Sequence, residues 1–330
     1  MRADLLIAGQ GLAGTLLGWE LERAGIPFRI ADPGHGAAAS RVAAGIVNPI
    51  TGRRLVKSWR VESLLPMARE SYRAFEAVLG VPVWREMRVR RWFADDRESR
   101  VFAEKQARGD LAPYAGAADA AGFWINQAAR VDTTALLAAA RVRWKAMGWL
   151  REESVDIAAE LENFDLVIDC TGVAGARGGS VPWEFSRGEV LTLAVAGLDP
   201  DVILNRGHWV LPLEPGAAKV GATHEPGNPE VSPTAAAGTA LERSAAALLQ
   251  REFTVTGHEA GVRVNLPDRH PVAGRHPANA RRGRINGLGA KGALLAPMLA
   301  RQWVQHLTEG VPFDPDVTET RFASRHSSQG

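Results

Sequence analysis

The sequence predicts an α/β fold: a discontinuous Rossmann-like nucleotide-binding domain joined to an α+β domain with an antiparallel sheet. Three observations carry that prediction. The chain opens on an apolar run, a glycine turn and a helical pattern; a short apolar strand returns at residues 165–169; and from 189 to 223 apolar runs alternate with Gly/Pro turns. A length of 330 residues leaves room for about two domains.

Taken in order, residues 4–8 (DLLIA) are continuously apolar and end at a glycine, as expected for a strand buried on both faces of a parallel sheet. The spacing of Leu16, Leu17 and Leu21 predicts a helix over 15–24, closed by Gly25, and PFRIAD supplies a second strand ending at Asp32. Leu64, Leu65, Ala68, Tyr72, Phe75 and Leu79 recur every three to four residues, which predicts an amphipathic helix over 60–79. Residues 83–93 alternate apolar with arginine in the period of a half-buried strand. An Asp-Thr-Thr cluster then caps a helix over 131–143, and DLVID at 165–169 is another buried strand, followed by CTG. EVLTLAV, HWVLPL and AKVGAT read as strands of the antiparallel sheet, 234–253 as a helix, GRIN as a strand, 293–307 as a helix and 324–330 as a frayed tail. The expected nucleotide-binding domain comprises residues 1–60, 130–180 and 258–330, and the substrate domain 61–129 and 181–257.

Composition narrows the function. The 46% hydrophobic and 23% charged residues are those of an ordinary globular chain. Lysine plus arginine exceed aspartate plus glutamate by only 39 to 37, too little for a phosphate-neutralising surface, so a nucleic acid is not an expected partner. The clusters Arg53, Arg54, Lys57, Arg60 and Arg281, Arg282, Arg284 read as solvated faces. One cysteine, Cys170, excludes an internal disulfide framework and a cysteine zinc site, which suits a reducing compartment and makes the cytoplasm the expected location. No apolar run reaches the length of a membrane span, and the spacing of His270 and His276 is not that of a metal pair.

Gly9-Gln10-Gly11-Leu12-Ala13-Gly14 matches G-x-G-x-x-G directly after a strand and at the start of a helix. In that setting the first glycine makes the turn, the second admits a pyrophosphate, the third lets helix and strand pack, and the helix N-terminus attracts the anion. Asp32 stands where a carboxylate would take a ribose hydroxyl, although a turn-forming aspartate before Pro33 is an alternative. A second such turn, Gly287-Leu288-Gly289-Ala290-Lys291-Gly292, again lies between a strand and a helix. A nicotinamide domain needs only one. A flavin could use the second helix N-terminus for the negative charge its ring gains on reduction; a plain helix cap is the alternative.

These segments and several others, in order, resemble the D-amino-acid-oxidase-like FAD oxidoreductases, particularly the glycine oxidase and sarcosine oxidase branch. SRVAAG at 40–45 is similar to the family's S-x-x-A-a-G, CTG at 170–172 to A-T-G, and SRGEVLTL to R-G-Q-x-L. VGATHE, GVRVNLPDRHPVAG and NGLGAKGALLAPMLA resemble its V-G-A-T-x-E, G-x-R-P-x-x-P-D-x-x-P-x-I-G and G-H-G-x-x-G-x-x-x-A-P segments. The resemblance spans nearly the whole chain. It departs at Leu288, where the family carries histidine, and over residues 45–59, and it has no counterpart of the covalent-flavin cysteine.

The resemblance implies non-covalent FAD held by Gly9, Gly11, Leu12, Ala13, Gly14, Asp32, Ser40, Arg41, Ala44, Gly45, Val131, Thr171, Gly172, Arg263, Gly287, Leu288, Gly289, Ala290, Lys291 and Gly292. It implies oxidation of a C–N bond in a small amine or amino acid by hydride transfer to flavin N5, with oxygen or another acceptor taking the electrons. Arg263 would hold a substrate carboxylate through its guanidinium fork, unless it pairs with an acid such as Asp268. His208 and Trp209 would form an aromatic wall, and Lys291 would stabilise the reduced ring. Two rivals stay open: a flavoprotein acting on a non-amine or a tRNA base, and a nucleotide-binding relative without turnover.

Overall fold

The computed structural model describes residues 5–36, 38–177 and 181–325. A six-stranded sheet runs in the order Val272–His276, Asn279–Asn286, Leu166–Asp169, Leu5–Ala8, Arg29–Ala31, Leu150–Arg151. Its strands pair in parallel, with Leu6 opposite Val167 and Arg29, except for the terminal hairpin 272–286. The continuous apolar runs have their cause here. All four residues of Leu5–Ala8 and of Leu166–Asp169 are buried because helices cover both faces of the sheet centre.

Helix Leu12–Arg23 covers one face together with Gly292–Glu309, and both contribute to the largest core cluster. The first helix ends as Gly25 predicts: the Ile26 N–H returns to the Leu21 carbonyl at 3.0 Å and the Gly25 N–H to that of Glu22 at 3.0 Å. Helix Val61–Leu79 buries the predicted stripe, Leu64, Leu65, Ala68, Tyr72 and Phe75.

The second sheet has ten strands and is mostly antiparallel. Glu184–Ala194 lies at its heart, flanked by Ala217–Gly221 and Thr254–Asn265. The two halves of the sheet join where Val202–Arg206 runs parallel to Trp84–Trp92, so residues 83–93 and 189–223 share one sheet. Strand Thr254–Asn265 pairs with Glu184–Ala194 over its whole length. The domain boundary expected at 258 therefore cuts a strand whose ladder belongs to the antiparallel sheet.

Other differences are local. The helix expected over 234–253 is Ala235–Leu249, capped by the Thr234 hydroxyl and ended at Gln250, whose φ is 50°. Helix Asp96–Arg108 gave no apolar periodicity because it buries only Glu98 and Phe102; the Asp95 side chain caps it. Glu319–Arg325 forms a 3-10 helix, and the rest of the expected frayed tail lies outside the described residues. No helix among the described residues is long and apolar enough to cross a membrane.

Candidate cofactor and substrate site

The fold gathers three glycine-bearing turns from distant parts of the chain. At the first, a Cβ on Gly14 would overlap the Gly9 carbonyl oxygen, and one on Gly9 would come within 2.8 Å of the Cys170 carbonyl oxygen. Over Gly11 the space is open, with Ser40 Oγ the nearest neighbour at 3.6 Å. The turn is thus tight behind and clear in front, with helix Leu12–Arg23 aimed at the clearing, which is the shape a pyrophosphate requires.

Ser40 joins the second segment to the first, since its hydroxyl accepts the Leu12 N–H at 3.1 Å. Helix Ala39–Val42 rests on Gly261 of the antiparallel sheet, and exposed Arg41 pairs with Glu259 at 3.1 Å. Beyond Ala44, which packs on the core, Gly45 lies against Val131: the Val131 N–H donates to the Gly45 carbonyl at 2.9 Å, and a Cβ would overlap the Val131 carbonyl. A cavity of about 360 Å³ opens beside them, with Lys219 on one wall. Thr171 is held by Asp169, which accepts its N–H and hydroxyl at 2.9 and 2.7 Å, while the Gly172 carbonyl accepts from Asn286 at 2.8 Å.

The third turn sits beside the first, because a Cβ on Gly292 would reach Leu12 Cδ2 at 3.1 Å. Leu288 is half-buried against the core and Ala290 is exposed. The Gly289 N–H donates to the Val264 carbonyl at 2.9 Å, which fastens this turn one residue away from Arg263. Lys291 begins helix Gly292–Glu309. Its ammonium is half-buried, pushed below the ordinary lysine value by burial, and makes no hydrogen bond or ion pair among the described residues.

Asp32 is buried at the end of strand Arg29–Ala31. Its Oδ2 accepts the Gln10 N–H at 2.7 Å, while Oδ1 accepts the Gly34 N–H at 2.8 Å and Arg141 Nη1 at 2.9 Å. Sequence reasoning missed Arg141, because one arginine on a helix carries no signal until the fold brings it to the sheet edge.

Arg263 lies on the face of the antiparallel sheet that is turned toward residues 39–42. Its guanidinium crosses Gly188, where a Cβ would overlap it, and Nη1 donates to the Thr223 carbonyl at 3.2 Å. No carboxylate among the described residues pairs with it, and burial lowers it from the ordinary arginine value. Asp268, the alternative partner, belongs to Arg321 at 2.8 Å. Gly188, against which that guanidinium lies, carried no assignment in the sequence, although it stands in the SRGEVLTL motif.

His208 and Trp209 do not form one wall, because successive residues of a strand face opposite ways. Trp209 turns with Leu211 and Leu213 toward the largest core and covers Gly221. His208 turns with Val210 toward helix Ala235–Leu249, where its Nδ1 meets Ser244 Oγ at 2.7 Å and burial lowers its imidazole below the ordinary value.

An adenine dinucleotide with a flavin fits these residues: one turn is open for the pyrophosphate, a second helix N-terminus stands beside it, and an uncommitted cation flanks each side of the third turn. A cysteinyl flavin link does not fit, since the Cys170 thiol is buried and held well above its ordinary value by burial and by Asp169.

Comparison with known proteins agrees. The model of the family described as DAO, FAD dependent oxidoreductase, matches residues 4–305. The chain is 30% identical to the tRNA 5-methylaminomethyl-2-thiouridine biosynthesis bifunctional protein MnmC of Maricaulis maris, over 97% of this chain but only 55% of that protein. It is also 30% identical to the putative thiamine biosynthesis oxidoreductase ThiO of Rhizobium etli, over 92% of this chain and 96% of that one. Among solved structures, glycine oxidase from Geobacillus kaustophilus superposes with a TM-score of 0.73 at 22% identity, covering 94% of this chain and 96% of its own. Iminodiacetate oxidase from Chelativorans sp. BNC1 superposes with 0.74 at 19%, covering 95% and 98%. With its glycine turns, its two sheets and a family match over most of its length, the chain belongs to the DAO family of FAD-dependent oxidoreductases.

Proposed function

We propose that this oxidoreductase oxidises the C–N bond of a small amine or amino acid that carries a carboxylate. The observation that carries the reading is Arg263, a half-buried guanidinium with a carbonyl but no carboxylate for a partner among the described residues, beside the turn that would meet the flavin. Burying a charge without a counter-ion is costly, and a substrate carboxylate gripped by the fork relieves that cost.

FAD, when bound, would supply the two-electron chemistry as acceptor for the hydride of the C–H beside the nitrogen. The substrate also loses its N–H proton to become an imine, which water hydrolyses to a carbonyl compound and an amine. The chain's residues orient and stabilise. Arg263 fixes the carboxylate, Trp209 walls the pocket with apolar surface, and Lys291 places positive charge where the third turn meets the cofactor.

A second reading places the amine on a modified tRNA base, and the 30% identity over 97% of the chain to the bifunctional tRNA protein favours it. One experiment tests both. The holoenzyme is mixed anaerobically with amino acids, their decarboxylated analogues and undermodified or modified tRNA, and flavin absorbance is followed. Bleaching by carboxylated amines alone supports the first reading; bleaching by tRNA alone replaces it with the second; equal bleaching by decarboxylated analogues removes the role of Arg263.

A further inference from the structure

Around the adenosine end of the cofactor site, one side chain ties four elements together. Arg141, on helix Thr133–Ala146, reaches the ends of the first two parallel strands with its guanidinium almost enclosed. Nη1 donates to Gln10 Oε1 at 2.8 Å and to Asp32 Oδ1 at 2.9 Å. Nη2 donates to the Asp32 carbonyl at 3.1 Å and to Glu152 Oε1 at 3.0 Å, and Nε to the same Glu152 oxygen at 3.2 Å. A guanidinium has five N–H groups, and all five are engaged. Arg141 therefore has no donor left for a ligand phosphate, and the adjacent Asp32 carboxylate would repel one.

What Arg141 does reaches the ligand through Asp32. The Asp32 carboxylate has four acceptor directions. Gly34 and Arg141 fill both at Oδ1, whereas among the described residues Oδ2 holds only the Gln10 N–H and keeps one free. Gln10 is locked in turn: its Oε1 also meets His35 Nε2 at 3.1 Å, and its amide donates to the Leu137 carbonyl at 3.0 Å. The network fixes the rotation of the carboxylate and leaves Oδ2 as the oxygen with an acceptor direction to spare.

We propose that Arg141 is the positioning residue of the adenosine subsite, holding Asp32 so that the free lone pair of Oδ2 receives a ribose hydroxyl of FAD. The inference rests on Asp32 being the ribose acceptor. Arg141 acts on cofactor affinity and on recognition of the ribose, at a distance from the reacting atoms.

The test is binding. Full-length protein freed of flavin is titrated with FAD and with analogues lacking the 2′- or the 3′-hydroxyl of the adenosine ribose, following quenching of flavin fluorescence. The native protein should prefer FAD over one analogue by about tenfold, the worth of one good hydrogen bond. Arg141→Met should weaken FAD by about tenfold and level that preference. A merely structural role would weaken FAD and analogues by one common factor, and that outcome overturns the proposal, as does unaltered FAD affinity. Arg141→Lys keeps the charge but not the five donors; it should lose part of the preference, and it stands in if the methionine variant does not fold. In Asp32→Ala, which removes both acceptor oxygens, a retained preference overturns the ribose role and the positioning role together. A levelled preference there with an unaltered Arg141→Met overturns the positioning role alone.

Discussion

At Arg263 a half-buried cation has no carboxylate partner among the described residues, and the arrangement is as much the work of its neighbour Gly188 as its own. Removing the fork in Arg263→Gln should raise KM for a carboxylated substrate by roughly 30-fold, about 2 kcal/mol. Gly188→Ala should act in the same direction without touching a charge, because the added methyl occupies the space of the guanidinium. Steady-state kinetics on the two variants check this, and an unmoved KM in Gly188→Ala would show that the fork sits elsewhere when substrate binds. Lys291 carries a pH signature. Burial lowers its ammonium, so the charge is lost at a pH below that of an ordinary lysine. The rate of flavin reduction should therefore fall on an alkaline limb, and Lys291→Met should run at the lower rate at every pH with the limb gone.

At the scale of elements, the helix ends and strand ends carry the sensitivity. Thr234 caps helix Ala235–Leu249 by accepting the Ala237 N–H at 3.3 Å, and it satisfies the buried Glu189 through its own N–H at 2.8 Å and its hydroxyl at 3.0 Å. Thr234→Val keeps the shape and removes both hydroxyl bonds, which should cost about 1–3 kcal/mol in a urea titration. Glu76 joins the end of helix Val61–Leu79 to the strand after it. Burial pushes its carboxyl up, but the N–H groups of Trp84 and Val83 and the Arg73 guanidinium outweigh burial and leave it below the ordinary carboxylate value. A carboxyl lowered on folding stabilises the native state above its unfolded pKa, and that contribution disappears as pH falls through the lowered folded value. Stability below the ordinary carboxylate range should thus decline less steeply in Glu76→Gln, measured as the midpoint of thermal unfolding against pH.

Across the whole molecule, the proposed cofactor site draws on segments near residues 9–14, 40–45, 171–172 and 287–292, which meet only when both sheets are formed. A ligand bound by the native state alone stabilises it by mass action, about 2.7 kcal/mol at a concentration one hundred times Kd. FAD added to flavin-free protein should accordingly raise Tm by a few degrees, whereas NAD or NADP should leave it unmoved; a Tm raised by NADP would contradict a site whose arginine has no spare donor.

The sequence by itself determined the local parts. Continuous apolar runs marked the buried parallel strands, periodic leucines marked the helices, and the two G-x-G-x-x-G turns announced a flavin dinucleotide, because each depends on residues adjacent in the chain. The resemblance in register extended this to the family. Only the tertiary structure decided relations between distant residues. It paired 254–265 with 184–194 and moved a strand across the expected boundary; it turned His208 away from Trp209, since a strand alternates its faces; and it gave Asp268 to Arg321, leaving Arg263 without a carboxylate partner among the described residues. It also brought Arg141 to Asp32 across 109 residues of sequence. Hydrogen bonds and ion pairs are short-ranged, so partners far apart in sequence become legible only when the fold has brought them within a few ångströms.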